Sequence, residues 1–374
     1  TVDVVLHPGV TDAAAESLLS GISEIGISGV EDAATGRRYR ISGATSAADI
    51  NTIASALLAN GRRFVARSFK YHRPRGVFAA GSEEPNALVE LRRGTHREPN
   101  TRATVTELYD GLAATSQNHR GSLDYDLLAL NDWFAPFLSA GFYYKTFMWP
   151  AAFWEKLYEP IIRASAGLGR LSGKADPDDY DKGFLHCDLL IIGAGPAGLS
   201  AALAAGLAGI RVIVADEEFL PGGRLNVETC VVDGRPGSSW AATTVARLAA
   251  MDYVTLLTRS TVYGAFDHGV YGVLERKTDH LFAAAGKPRQ VLWRIYTKRA
   301  ILCAGATERP IAFGNNDRPG VMLAGAVRAY VNRWAALPGS RVAVFTNNDD
   351  GWRTAIDLVA RGIEVPAIID SRDI

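Results

Sequence analysis

The segment that most restricts what this chain can fold into begins at Cys187: CDLLIIGAGPAGLSAALAAGLAGIRVIVADEE. An apolar strand, Leu189 to Ile192, runs into Gly193-x-Gly195-x-x-Gly198. An alanine-rich helix follows, and a second apolar strand, Arg211 to Ala215, ends on Asp216, Glu217 and Glu218. Gly193 permits the tight strand-to-helix turn, Gly195 lets a pyrophosphate approach the backbone, and Gly198 lets the helix pack closely on the strand. The helix N-terminus offers unpaired N–H groups and a positive dipole end to the phosphates. Asp216, 18 residues after Gly198, is placed to accept hydrogen bonds from the adenosine ribose hydroxyls. Its charge would repel a 2′-phosphate, which favours NAD or FAD over NADP. Strand, turn, helix, strand and acid occur in order, so the sequence predicts a Rossmann-like α/β dinucleotide-binding domain.

Other pieces fit the FAD/NAD(P)-binding architecture with two dinucleotide-binding domains. Pro221-Gly222-Gly223-Arg224 follows the second strand, where a turn beside the pyrophosphate is expected. Arg299 to Thr307 is an apolar strand ending in a small-residue turn at Gly305, and Thr255 to Tyr263 reads as a strand whose backbone near Val262 would meet the adenine edge. Farther on, Gly339 to Phe345 looks like a strand of the same kind. It runs into Asn347-Asn348-Asp349-Asp350-Gly351 where a glycine-rich turn would stand. Two asparagines and two aspartates would block or repel a pyrophosphate, so this second unit is expected to have lost dinucleotide binding. The chain ends at Ile374, about one strand into that unit, and is expected to be a fragment of a longer polypeptide.

Four regions are expected. Residues 1–102 read as a small α+β domain: strands at Val2 to Leu6 and Arg38 to Ser42, and helices at Asp12 to Ile25 and Ser46 to Ala59, the latter closed by Asn60-Gly61. Within it, RRFVARSFKYHRPRG (62–76) is basic and aromatic with no acid. Such a stretch could bind single-stranded nucleic acid, clamp acidic groups or dinucleotide phosphates, or simply pack at an interface or lie solvated. Residues 103–182 hold a dense aromatic cluster from Trp133 to Tyr158, either core or a surface laid over another. The polar linker 175–183 then marks a boundary, with the dinucleotide-binding domain at 183–335 and the degenerate unit at 336–374.

Composition excludes several functions. The 40 Lys+Arg balance 40 Asp+Glu, which argues against a general nucleic-acid binder. The three cysteines, Cys187, Cys230 and Cys303, are scattered and follow no CxxC pattern. A disulfide framework, a four-thiolate iron–sulfur cluster and a structural zinc site are therefore not expected, and a reducing cytoplasm is the natural compartment. No apolar run is long enough to span a membrane and no signal peptide is read. The seven histidines form no HxH or HExxH pattern, and no GxSxG elbow or P-loop occurs. No catalytic residue and no metal ligand is assigned.

Several long strings resemble the alpha subunit of heterotetrameric sarcosine oxidase. They are SALLANG (55–61), RSFKYHRPRG (67–76), GSEEPNALVELR (81–92), REPNTRATVTELYDGL (97–112), PFLSAGFYYKTFMWPAAFWEKLYEP (136–160), the GAGPAG turn, CAGATERPIAFGNNDRPGVMLA (303–324) and VFTNNDDGWRTA (344–355). The resemblance implies an assembly that oxidises the N-methyl group of sarcosine with O2, giving glycine, hydrogen peroxide and a one-carbon unit for tetrahydrofolate. It implies FAD and FMN in the complete complex, amine oxidation on a smaller flavin-binding beta subunit, further small subunits, and a tightly bound NAD in this chain that exchanges no hydride. Carried over by position, the NAD contacts fall on the turn including Ala197, on Asp216, Glu217 and Glu218, on Arg224 and near Val262. Arg224 departs from the small polar residue common there. The resemblance also implies a ferredoxin-like N-terminal domain without its cysteines. Residues 1–45 depart from it and resemble the small PurS-type segment of phosphoribosylformylglycinamidine synthase.

Two rival readings stay open. One is the FAD-binding subunit of a related N-methyl amine or opine dehydrogenase, with FAD on the Gly193–Gly198 turn. The other is a non-catalytic scaffold subunit carrying NAD.

Overall fold

The structure, a computed structural model, describes residues 2–5, 36–39, 51–93, 96–138, 141, 147, 149–169, 172–281 and 286–372. Two units are distinguished, Thr1–Asp49 and Ile50–Ile374. In the first, strands Val2–Val5 and Gly36–Tyr39 pair antiparallel, so the second strand begins two residues before the expected Arg38; Arg40 to Ser42 lie outside the described residues. The helix expected at Asp12 to Ile25 lies outside the described residues.

The larger unit opens on a short helix, Ile53–Ala59. The expected start at Ser46 is not where the described helix begins. Thr52 caps it instead, through reciprocal hydrogen bonds with Ser55, and this box satisfies N–H groups that a helix start leaves unpaired. Asn60 closes it, followed by Gly61 at φ +71°, as the Asn-Gly pair suggested. Strands Leu88–Arg93, His96–Arg102 and Ala113–Ser116 form an antiparallel sheet with the first in the middle. The third strand carries this ferredoxin-like fold past residue 102. Much of the basic stretch is committed internally. Arg67 donates to the carbonyls of His72, Leu123 and Asp124, while Arg73 and Arg75 pair with Asp317.

The main sheet has six strands, in the order Val254–Leu257, Val212–Ala215, Tyr180–Ile192, Gln290–Leu302, Val270–Arg276, Ser260–Phe266. The first four run parallel, and Val270–Arg276 is antiparallel to its neighbours on both sides. Two sequence readings need correction here. The supposed linker end, Tyr180 to Gly183, is strand, because each of its residues pairs with Gln290 to Trp293. The single strand expected over Thr255 to Tyr263 is two strands separated at Thr258 and Arg259, where Arg259 takes φ +54°.

Successive residues of a strand point to opposite faces, and the burial follows that period. Ile191, Val212, Val214 and Val254 pack under helices Pro196–Leu207 and Gly237–Ala249, while Leu190, Ile213, Ala215, Val273 and Ile295 form the core of the other face. Helix Ala324–Trp334 is shared by two cores. Ala326, Ala329, Tyr330 and Trp334 pack against the ferredoxin-like fold, and Val327 and Val331 against the C-terminal unit. That unit is a strand–helix–strand element: Val344–Thr346, Asp349–Ala360 and Ile368–Asp370, the strands parallel. It therefore extends further than the one strand expected, and its first strand is shorter. Buried Arg289, held by Glu98, Asp178 and Asp279, ties the ferredoxin-like sheet to the main sheet.

Candidate dinucleotide site

Three glycines of the turn have distinct surroundings. Gly193 sits at φ +101°, and a Cβ there would stand 2.4 Å from the Cys303 carbonyl oxygen. The returning strand causes this crowding, because the Cys303 N–H donates to the Ile192 carbonyl at 2.7 Å. A Cβ on Gly198 would stand 1.9 Å from the Gly193 carbonyl oxygen, so the helix could not approach the strand with any side chain there. A Cβ on Gly195 would meet nothing within 4 Å. The position expected to face a pyrophosphate thus faces open space, the cradle such a group requires. Ala197, on the first turn of the helix, is exposed.

The Pro221–Arg224 turn lies where the sequence put it. The Gly222 N–H donates to the Ala194 carbonyl at 2.8 Å, and a Cβ on Gly223 would be 3.1 Å from Gly195 Cα. Gly305, at φ +71°, follows immediately on Cys303 and Ala304, with open space around it. These elements converge at the C-terminal ends of the parallel strands, where this fold class binds its ligands.

The acids divide their roles in a way the sequence did not show. One Asp216 carboxylate oxygen accepts from the Ala194 N–H and the other from the Glu218 N–H at 2.8 Å. Asp216 thus braces the phosphate turn from beneath, rather than simply projecting toward a ribose. Glu217 is exposed and accepts from Ser82 Oγ at 2.8 Å. Glu218 pairs with Arg333 at 3.3 Å, and burial pushes its carboxyl up against that pull. Arg224 is turned to other work: its guanidinium pairs with Glu228 and, at 2.7 Å, with Asp350. Val262 is half-buried on the strand whose Ser260 N–H donates to the Asp216 carbonyl at 2.7 Å.

A cavity of about 200 Å³ opens beside these acids, walled by Glu217, Glu218, Phe219 and Thr261 and, from the ferredoxin-like fold, by Ser82, Arg102 and Thr104. Sites for drug-sized ligands run to about 300–1,000 Å³, so this space suits one end of a dinucleotide rather than all of it. Sequence reasoning missed its second wall, since no motif connects Ser82 to Glu217, 135 residues apart.

At the second unit, the Asn-Asp turn is filled by its own chain. Asn348 caps the helix by accepting from the Asp350 N–H at 2.9 Å. Asp350 pairs with Arg224 and buried Arg328, and Asp349 with Arg372. A Cβ on Gly351 would stand 2.3 Å from Thr346 Oγ1, so the close strand–helix approach survives without a glycine-rich turn.

Asp216→Ala is expected to weaken dinucleotide binding because the turn loses its brace, each lost hydrogen bond to a charged group being worth about 1.5–3 kcal/mol. It should also lower the melting temperature, because two backbone donors lose their acceptor. Titration calorimetry and thermal melts would check both; unchanged affinity for NAD and unchanged rejection of NADP would remove Asp216 from the site.

Comparison with known proteins agrees with this geometry. Residues 188–228 match the family described as FAD binding domain. Residues 44–119 match the family described as 2Fe-2S iron-sulfur cluster binding domain. Over 323 residues, 86% of this chain, it is 57% identical to the sarcosine oxidase alpha chain of Rhizobium meliloti (strain 1021). This chain belongs to the sarcosine oxidase alpha-subunit family. The match takes in 33% of that relative, so the chain spans about a third of its length. An opine oxidase subunit of Agrobacterium tumefaciens (strain Ach5) is 30% identical over 191 residues, 49% of this chain and 37% of that one. Among solved structures, L-proline dehydrogenase from P. horikoshii superposes with a TM-score of 0.57 at 19% identity, covering 91% of this chain and 52% of that one, which shows the fold.

The iron–sulfur description does not extend to a cluster here. A [2Fe–2S] cluster needs four thiolates, or two with two histidines, and residues 44–119 contain no cysteine. No group of three or more His, Cys, Asp or Glu side chains that could hold a metal occurs among the described residues. Among those residues, no helix is long and apolar enough to cross a membrane.

Proposed function

We propose that this chain is the NAD-carrying part of a sarcosine oxidase alpha subunit. It works in a cytoplasmic complex with further small subunits and a smaller flavin-binding beta subunit. The observation that carries the reading is a 57% identity over most of the chain combined with an intact phosphate turn whose Gly195 faces open space. On this reading the N–H groups opening helix Pro196–Leu207 receive the pyrophosphate. Asp216 stiffens the turn, Glu217 accepts from the adenosine ribose, and the strand through Val262 meets the adenine edge. The bound NAD supplies a fixed charge and shape at the domain's centre and no hydride. Sarcosine, FAD and FMN are handled by the complete assembly, which demethylates the amine with O2 and delivers the one-carbon unit to tetrahydrofolate. This chain's share is to bind and to hold its partners.

A second reading has its own support. The match to an FAD binding domain over residues 188–228, with the likeness to an opine oxidase chain, favours FAD on this same turn in a related amine dehydrogenase. Releasing the dinucleotide from the purified native complex, with absorbance and mass spectrometry on the fraction bound to this chain, separates them. NAD is the expected result; FAD bound to this chain would replace the proposal with the second reading.

A further inference from the structure

The stretch matched to the iron–sulfur domain has to be built without iron, and the loop before strand Leu88–Arg93 shows how. Plant-type cluster loops space their thiolates Cys-x4-Cys-x2-Cys. In the loop 77–87 that spacing falls on Ala79, Glu84 and Ala87, which are 0%, 2% and 0% exposed. Two positions are thus stripped to a methyl group. The middle one carries a carboxylate buried to an extent rarely seen for glutamate unless it is paired.

The pairing of Glu84 is with backbone alone. One oxygen accepts from the N–H groups of Phe78 at 2.8 Å and Ala79 at 2.7 Å. The other accepts from Asn86 at 2.5 Å and Ala87 at 3.0 Å. The donors therefore include both other positions of the thiolate pattern. An ionised carboxylate has about four lone-pair sites, and here four N–H groups converge on it. In a cluster-bearing loop the sulfur atoms are the acceptors for such N–H groups. Without them the donors would be buried and unsatisfied, at a cost comparable to a lost hydrogen bond for each.

We infer that the Glu84 carboxylate takes the place of a [2Fe–2S] cluster as the centre around which this loop folds. The ferredoxin-like fold is then a redox-silent module that carries no electrons. Its loop serves another purpose, since Ser82 at its tip donates to Glu217 at 2.8 Å and forms part of the wall of the dinucleotide-side cavity.

The test has two arms on the full-length chain. In the unaltered protein, anaerobic reconstitution with ferrous iron and sulfide should leave no bound iron, no acid-labile sulfide and no visible absorption after desalting. Retention of about two irons and two sulfides per chain would overturn the inference, and this arm needs no variant. In Glu84→Gln, one acceptor oxygen becomes an NH2 group that faces two N–H donors. Hydrogen exchange at Phe78, Ala79, Asn86 and Ala87 should then accelerate about tenfold or more, while the amides of Val212–Ala215 keep their protection. Unchanged exchange at those four amides would equally overturn it.

Discussion

A Gly195→Val chain is expected to fold normally and to emerge from purification without the dinucleotide proposed for this turn. The two halves of that expectation have separate causes. Folding should survive because a Cβ on Gly195 meets no atom of the chain within 4 Å, and its φ of −70° is open to any residue. Binding should fail because the same empty volume is where a pyrophosphate must approach the backbone. Overpacking a close contact costs about 1–3 kcal/mol even where the surroundings relax. A turn gripping phosphate oxygens cannot withdraw without losing its N–H contacts, so the affinity should fall by about a hundredfold or more. Gly198 offers no comparable test, since a Cβ there collides with the Gly193 carbonyl oxygen and would disturb fold and binding together. The measurement is nucleotide content per folded chain alongside the melting temperature. A folded Gly195→Val protein with full occupancy would show that the ligand does not use this turn.

What could be read from the sequence was what local chemistry decides. The Gly193–Gly198 turn, the helix after it and the second strand lie within about 30 residues, and each glycine's role follows from its immediate neighbours. The Pro221–Arg224 turn was legible for the same reason, and it packs on Gly195. Strand extents were not legible. Tyr180 to Gly183 is polar and turn-like in composition, yet it is strand because a partner more than a hundred residues away, Gln290 to Trp293, continues past the apolar run. Similar distances hid the Ser82–Glu217 contact and the pairing of Arg224 with Asp350, and the place of Ala113–Ser116 in the small sheet depends on its pairing with Val89 to Arg92 across an intervening strand. Side-chain direction was hidden as well. Asp216 occupies the expected position, but the fold binds both its oxygens to backbone N–H groups, which no spacing rule predicts. Glu84 was invisible because its four donors, though only two to six residues away in sequence, converge on its carboxylate only once the loop has folded.

The chain expressed alone is expected to show no sarcosine-dependent peroxide formation, with or without added FAD and FMN. One reason is the supply of sites. The first turn is the one proposed to hold NAD, and the corresponding turn of the C-terminal unit is closed by the Asn348 cap and by the pairing of Asp350 with Arg224 and Arg328. A flavin therefore has no open glycine-rich turn there, and Asp216 and Glu218 beside the first turn are engaged in bracing and an ion pair. Another reason is surface. Trp133, Phe137 and Trp149 are 79%, 79% and 82% exposed, in a segment where Phe134 and Phe153 are also exposed. Aromatic area of this extent marks a contact surface or an aggregation hazard, so the isolated chain should aggregate unless co-expressed with a flavin-binding partner. Following peroxide after sarcosine addition, first with the single chain and then with the reconstituted complex, measures the dependence directly. Turnover by the single chain would place a working flavin and its substrate pocket within residues 184–374, and the carrier role proposed for this chain would fall.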